Sequence, residues 1–101
     1  MYIYNITTQL GPEIEQEWLS WMQEEHIPEV LATGHFTHHR ILRLREPSEQ
    51  GIPTFAVQYF CGNREQYDHY IEYHAAGLRK KALEKWGDRT ISFRTLMEVI
   101  N

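Results

Sequence analysis

His26-Ile27-Pro28 closes the stretch Trp18-Leu19-Ser20-Trp21-Met22-Gln23-Glu24-Glu25, and this is where the sequence comes nearest to chemistry. Trp18, Met22 and His26 recur every fourth position, so an apolar helical stripe ends in an imidazole. A histidine with a pKa near neutrality can take or give a proton, which is the role expected of His26. Arg40 is suited to stabilising an anion or enolate, and Tyr59 to donating a hydrogen bond. Tyr4, Trp18, His38, Arg40, Tyr59, Tyr70 and His74 are the expected ligand contacts. A plainer alternative stands beside each role. His26 can bind the last carbonyls of its helix, Arg40 can pair with a glutamate such as Glu29, and the tyrosines can simply fill space.

Other chemistries find less support. The run His35-Phe36-Thr37-His38-His39 invites a metal. On a strand, however, only His35 and His39 share a face, and they stand roughly 13 Å apart at strand rise. No cysteine pair or His-Glu-x-x-His completes a set. No metal is expected. Cys61 has no histidine close in sequence and reads as a small buried thiol. No glycine-rich phosphate cradle is present, so neither a nucleotide nor another cofactor is expected.

Composition narrows the partners. At 101 residues the chain allows one domain, spanning residues 1–101. A net charge of -4 argues against nucleic-acid binding, which needs a basic face to release counterions. Arg79, Lys80 and Lys81 form the densest basic run and, with Glu84 and Lys85, read as a solvated helix face. A single cysteine excludes an internal disulfide and fits a reducing compartment, so the cytoplasm is expected. Residues 1–10 carry no basic leader and no continuous apolar run, so no membrane association is expected.

The elements that must position these residues follow from periodicity. Residues 2–10 alternate as a strand whose even positions, Tyr2 to Leu10, are the more apolar. Gly11-Pro12 opens a helix expected to run to about residue 26, where Pro28 stops it. A short helical piece over 29–33 then closes on Gly34. Residues 35–45 and 53–61 read as a hairpin around the loop 46–51. Asn63 caps a long helix, with Gln66 as its capping-box partner, and Gly87 ends it. Residues 90–100 form the last strand.

The order β-α-β-β-α-β is the split, ferredoxin-like arrangement: an α+β fold with a four-stranded antiparallel sheet and two helices on one face. Alternation assigns Phe36, His38, Arg40, Leu42, Ile91, Phe93 and Met97 to the helix side. The opposite face is expected to carry Ile3, Asn5, Ile41, Ala56, Gln58, Phe60, Arg94 and Leu96. That surface is too apolar for water and too polar for a domain core, which suits a homodimer interface. Two such sheets packed face to face make a dimeric α/β barrel.

The chain also resembles a small bacterial family known only as a domain of unknown function. Tyr4-Asn5, Trp18-Leu19-Ser20-Trp21-Met22, His26 to Gly34, Ala56-Val57-Gln58-Tyr59 and Phe93-Arg94-Thr95-Leu96 carry the likeness. More distantly, a first helix closing on His-x-Pro is similar to the dimeric α/β-barrel superfamily. That superfamily includes EthD-like proteins, small cofactor-free monooxygenases and muconolactone isomerase-like enzymes. The resemblance implies the barrel and the dimer more than any reaction.

Three functions remain open. The chain is expected to bind a small anionic or aromatic metabolite between sheet and helices. The alternatives are a cofactor-free enzyme, performing proton transfer or monooxygenation, and a purely structural homodimer.

Overall fold

The structure, a computed structural model, describes residues 1–46 and 51–101. Most of the loop expected at 46–51 lies outside the described residues. The strands are β1 (Tyr2–Leu10), β2 (His38–Arg43), β3 (Thr54–Cys61) and β4 (Thr90–Glu98), in the spatial order β2-β3-β1-β4. All neighbours run antiparallel, and the sheet of a single chain stays open at β2 and β4.

Two helical rods cover one face. The first starts with a 3-10 turn, Pro12–Ile14, and continues as α1 (Glu15–Trp21), a π-helical turn (Met22–His26) and α2 (Ile27–Ala32). Pro28 therefore does not stop it. A proline inside an α-helix loses a hydrogen bond and clashes with the carbonyl four residues back. Here the turn before it is widened: the Ile27 N–H donates to the Met22 carbonyl five residues earlier. The rod ends instead at Gly34, whose φ of +84° suits a residue without a Cβ.

The second rod is built the same way. It comprises α3 (Arg64–Tyr70), a π-helical turn (Ile71–Ala75) and α4 (Ala76–Trp86). Asn63 caps it, its Oδ1 accepting from the Gln66 N–H at 3.0 Å. The Gln66 side chain does not return to Asn63 but meets His35 Nδ1 at 2.7 Å. Gly87, at φ +59°, ends the α-helical run.

The core lies between rods and sheet. Ile14, Trp18, Met22, Ile27 and Val30 of the first rod, and Tyr70, Ala75 and Trp86 of the second, bury against Tyr4, Phe55, Val57 and Tyr59. Register fixes which strand residues share that face, because directly opposed residues point the same way. Tyr4 faces Tyr59 and Leu96; Ile6 faces Val57 and Arg94; Tyr59 faces His39. The even residues of β1 and the odd residues of β3 thus lie beneath the helices, as periodicity expects.

On the two edge strands the expected faces are exchanged. Residues 36 and 37 precede β2, with a bend at Thr37, so Phe36 enters the core while His38, Arg40 and Leu42 turn to the open face. On β4, Ser92, Arg94 and Leu96 lie on the helix side, and Ile91, Phe93, Thr95 and Met97 on the open side. Ile41, Arg94 and Leu96 are accordingly not open-face residues, whereas Ile3, Gln58 and Phe60 are. Among the described residues no helix is long and apolar enough to cross a membrane.

Candidate functional site

A cavity of about 70 Å³ lies between the rods and the β1–β4 half of the sheet. Its floor is Tyr4, Ile6, Thr8, Val57 and Tyr59, with Ser92 and Arg94 from the edge strand. Trp18, Trp21, Met22 and His26 of the first rod and Tyr70, Leu78, Arg79 and Trp86 of the second form its walls. The lining is mostly aromatic and aliphatic, with a few polar groups, as small-molecule sites usually are.

The π-helical turn places His26. In an unbroken α-helix, residues five apart point about 140° away from each other. The widened turn Met22–His26 brings them nearly into line, so His26 stacks on Trp21 with ring centroids 4.7 Å apart. The ring makes no hydrogen bond to any described residue and does not cap the helix, which continues past it. Burial lowers its pKa below the ordinary histidine value; Glu29 opposes this, and Lys81 and Arg94 reinforce it. His26 is held as a neutral imidazole.

Two further polar atoms on lining residues stand out. The Tyr59 hydroxyl and the Trp86 indole N–H are buried with no hydrogen-bond partner among the described residues. Such a group forfeits its hydration without recompense and invites a partner from outside the chain. Burial, with Tyr70 and Tyr4 adding to it, raises the Tyr59 pKa, so this phenol remains protonated.

Positive charge comes from unexpected positions. Arg79, read from sequence as part of a solvated face, donates to the Tyr4 hydroxyl at 2.9 Å. Arg94, read as an interface residue, reaches the cavity because β4 lies in the opposite parity. The rest of the basic run behaves as a surface: Lys81 bonds Glu29 at 2.8 Å, and Lys80 lies 4.0 Å from Glu84.

Of the expected site residues, the contacts Tyr4, Trp18, Tyr59 and Tyr70 and the expected acid/base His26 come together around this cavity, whereas His38, Arg40 and His74 do not. His38 stacks flat on Phe60 on the open face, centroids 4.3 Å apart, and Arg40 lies 5.1 Å from the same ring. The expectation that Arg40 and His26 share one cavity fails at the Thr37 bend. Glu29, the alternative partner for Arg40, is taken by Lys81. His74 sits beside His35, ring centroids 5.3 Å apart. Cys61 is fully buried and its thiol pKa is raised by that burial, as suits an inert thiol.

An open, two-layer α+β sandwich with a partly polar, aromatic-lined cavity under its helices is the class that fold and site define. The chain belongs to the family described as domain of unknown function DUF4286, which it matches over residues 1–100. Comparison with the curated proteins gives no match.

Solved structures share the fold. An EthD family protein from Bacillus halodurans C-125 superposes with a TM-score of 0.70 at 14% identity, over 99% of this chain and 100% of that one. A dimeric ferredoxin-like protein from an uncultured marine organism gives 0.66 at 11% identity, over 99% and 96%. SnoaB, a cofactor-independent oxygenase from Streptomyces nogalater, gives 0.61 at 12% identity, over 99% and 94%. At these identities the likeness is one of fold.

Proposed function

We propose that this protein is a homodimer that binds a small anionic, partly aromatic metabolite in the cavity beneath its helices. The observation that carries the reading is the pair of orphaned polar atoms on Tyr59 and Trp86, two residues lining a cavity that Arg79 and Arg94 also line. A carboxylate or phenolate would accept from the indole N–H and the phenol while the guanidiniums balance its charge. The aromatic walls would hold its apolar body. The second copy would cover the open sheet face, where Phe93, Ile91 and Met97 are exposed beside Ile3 and Phe60.

Native mass spectrometry on freshly purified protein tests the binding. The expected result is a retained small molecule that an Arg79→Ala/Arg94→Ala variant loses. A bare chain mass for the wild type, with no carboxylate or phenolate bound from an added panel, would overturn it.

One observation favours turnover as a second reading. A neutral imidazole stacked in a cavity is poised to accept a proton from a carbon acid, leaving an enolate to be balanced by Arg79 and Arg94. A His26→Gln variant that still retains the molecule but accumulates it unchanged would support the enzyme. Equal conversion by variant and wild type would exclude His26 as the base.

A further inference from the structure

Away from the cavity, His35, His69 and His74 each bring one ring nitrogen into a cluster in which the three atoms lie within 4.8 Å of one another. We propose that this cluster is a binding site for a divalent transition-metal ion, with zinc(II) as its simplest occupant.

The second π-helical turn makes the cluster possible. His69 and His74 are five residues apart, with His74 inside the widened turn Ile71–Ala75, which lines up two rings that a regular helix would separate. Their ring centroids are 6.3 Å apart. His35 arrives from the other rod, just after Gly34 turns the chain at positive φ. Its Nε2 stands 2.9 Å from His69 Nδ1. Two imidazole nitrogens on a tetrahedral zinc, each at about 2.0–2.1 Å, are held roughly 3.4 Å apart. The His35–His69 pair is therefore close to coordination spacing, and the third nitrogen, within 4.8 Å of both, would have to move closer to join it.

Gln66 supplies the outer contact that such sites usually have. Its Oε1 lies 2.7 Å from His35 Nδ1 and accepts that N–H, which leaves the lone pair on Nε2 and aims it at the cluster. Without a metal, His69 Nδ1–H donates into this lone pair. A cation would replace that single shared proton, with His69 taking the other tautomer. Three neutral imidazoles suit zinc, copper(II) or nickel better than calcium or magnesium, which prefer oxygen. No fourth His, Cys, Asp or Glu joins them among the described residues, so one position stays open to water or an added ligand. The sequence hid the site because it assembles across two rods, whereas His35 and His39, its obvious pair, diverge.

The test is calorimetric titration of tag-free, chelator-stripped full chain with zinc sulfate. One zinc per chain is expected, weakened at least tenfold by His69→Ala and by His74→Ala. Gln66→Ala is expected to weaken it by about tenfold, as outer-shell changes do, and His39→Ala to leave it unchanged. Cobalt(II) titration, read by its visible absorption, reports the coordination directly, and circular dichroism checks that the variants fold. Wild type and a folded His69→Ala/His74→Ala chain binding zinc alike would overturn the proposal, as would no binding by the wild type.

Discussion

Trp21 and His26 stack face to face with ring planes 25° from parallel, although five residues separate them in the chain. A regular α-helix would turn them apart; the single π-helical turn between them both admits Pro28 and delivers the imidazole to the cavity. One local widening thus solves a backbone problem and sets the position of the one histidine that lines that cavity among the described residues.

Because burial lowers the His26 pKa, the unfolded chain binds a proton here more readily than the folded one. The stability tied to the neutral ring is complete above the ordinary histidine value of about 6.5. It is lost as the pH falls through the lowered folded-state value. Melting temperature measured against pH is expected to drop less steeply on the acid side for His26→Gln than for wild type. NMR titration of the His26 ring is expected to give a midpoint below about 6.5, and a midpoint above it would refute the assignment.

The orphaned hydroxyl of Tyr59 makes an unusual prediction for a buried tyrosine. Tyr59 is almost wholly enclosed, yet its oxygen has no partner among the described residues. Tyr59→Phe removes a desolvated polar atom while keeping the ring. Unliganded protein is expected to gain up to about 1 kcal/mol of stability, read by urea denaturation. Retention of the bound molecule is expected to fall at the same time. A loss of more than about 1 kcal/mol would mean that the hydroxyl is satisfied inside the fold.

Most of the architecture was legible in the sequence because strand alternation, Asn63, Gly34 and Gly87 are local signals. Alternation also put the central strands β1 and β3 the right way up, since their apolar sets meet both rods. It failed on the edges for a physical reason. Periodicity says which residues share a face but not which face is covered, and a one-residue irregularity exchanges the two. At Thr37 such an irregularity follows Phe36, sending Arg40 outward. On β4 the apolar set Ile91, Phe93 and Met97 faces away from the helices, and apolar content alone assigned it to them. Arg79 and Arg94 were missed for that reason and because a charged helix face looks solvated until its neighbours are known. Four residues of the expected contact set, Tyr4, Trp18, Tyr59 and Tyr70, nonetheless line the cavity together with His26.

Asn63 offers a check on local folding that is independent of the cavity. Its side chain satisfies one of the free N–H groups at the start of α3, and Gln66 on the same turn holds His35. Asn63→Ala is expected to cost about 1 kcal/mol in thermal or urea unfolding. Asn63→Gly should cost only a few tenths. Equal losses for both would show that the cap bond contributes little and that another property of the asparagine matters.

The open sheet face carries the strongest prediction about assembly. Phe93 is 60% and Ile91 57% exposed, on the same face as Ile3, Leu42 and Met97. A monomer seldom leaves several large apolar side chains exposed on one sheet face. A twofold partner would bury the same patch on both copies, so one substitution at the patch acts twice in the interface. Phe93→Glu is therefore expected to turn a wild-type dimer into a folded monomer in sedimentation velocity, with its circular dichroism unchanged. Leu83→Glu, an exposed apolar position on α4 and so on the helical layer, is expected to leave the dimer intact. If wild type sediments as a monomer at high concentration, the open face is not a self-association surface. If Leu83→Glu rather than Phe93→Glu dissociates the dimer, the copies meet through their helices.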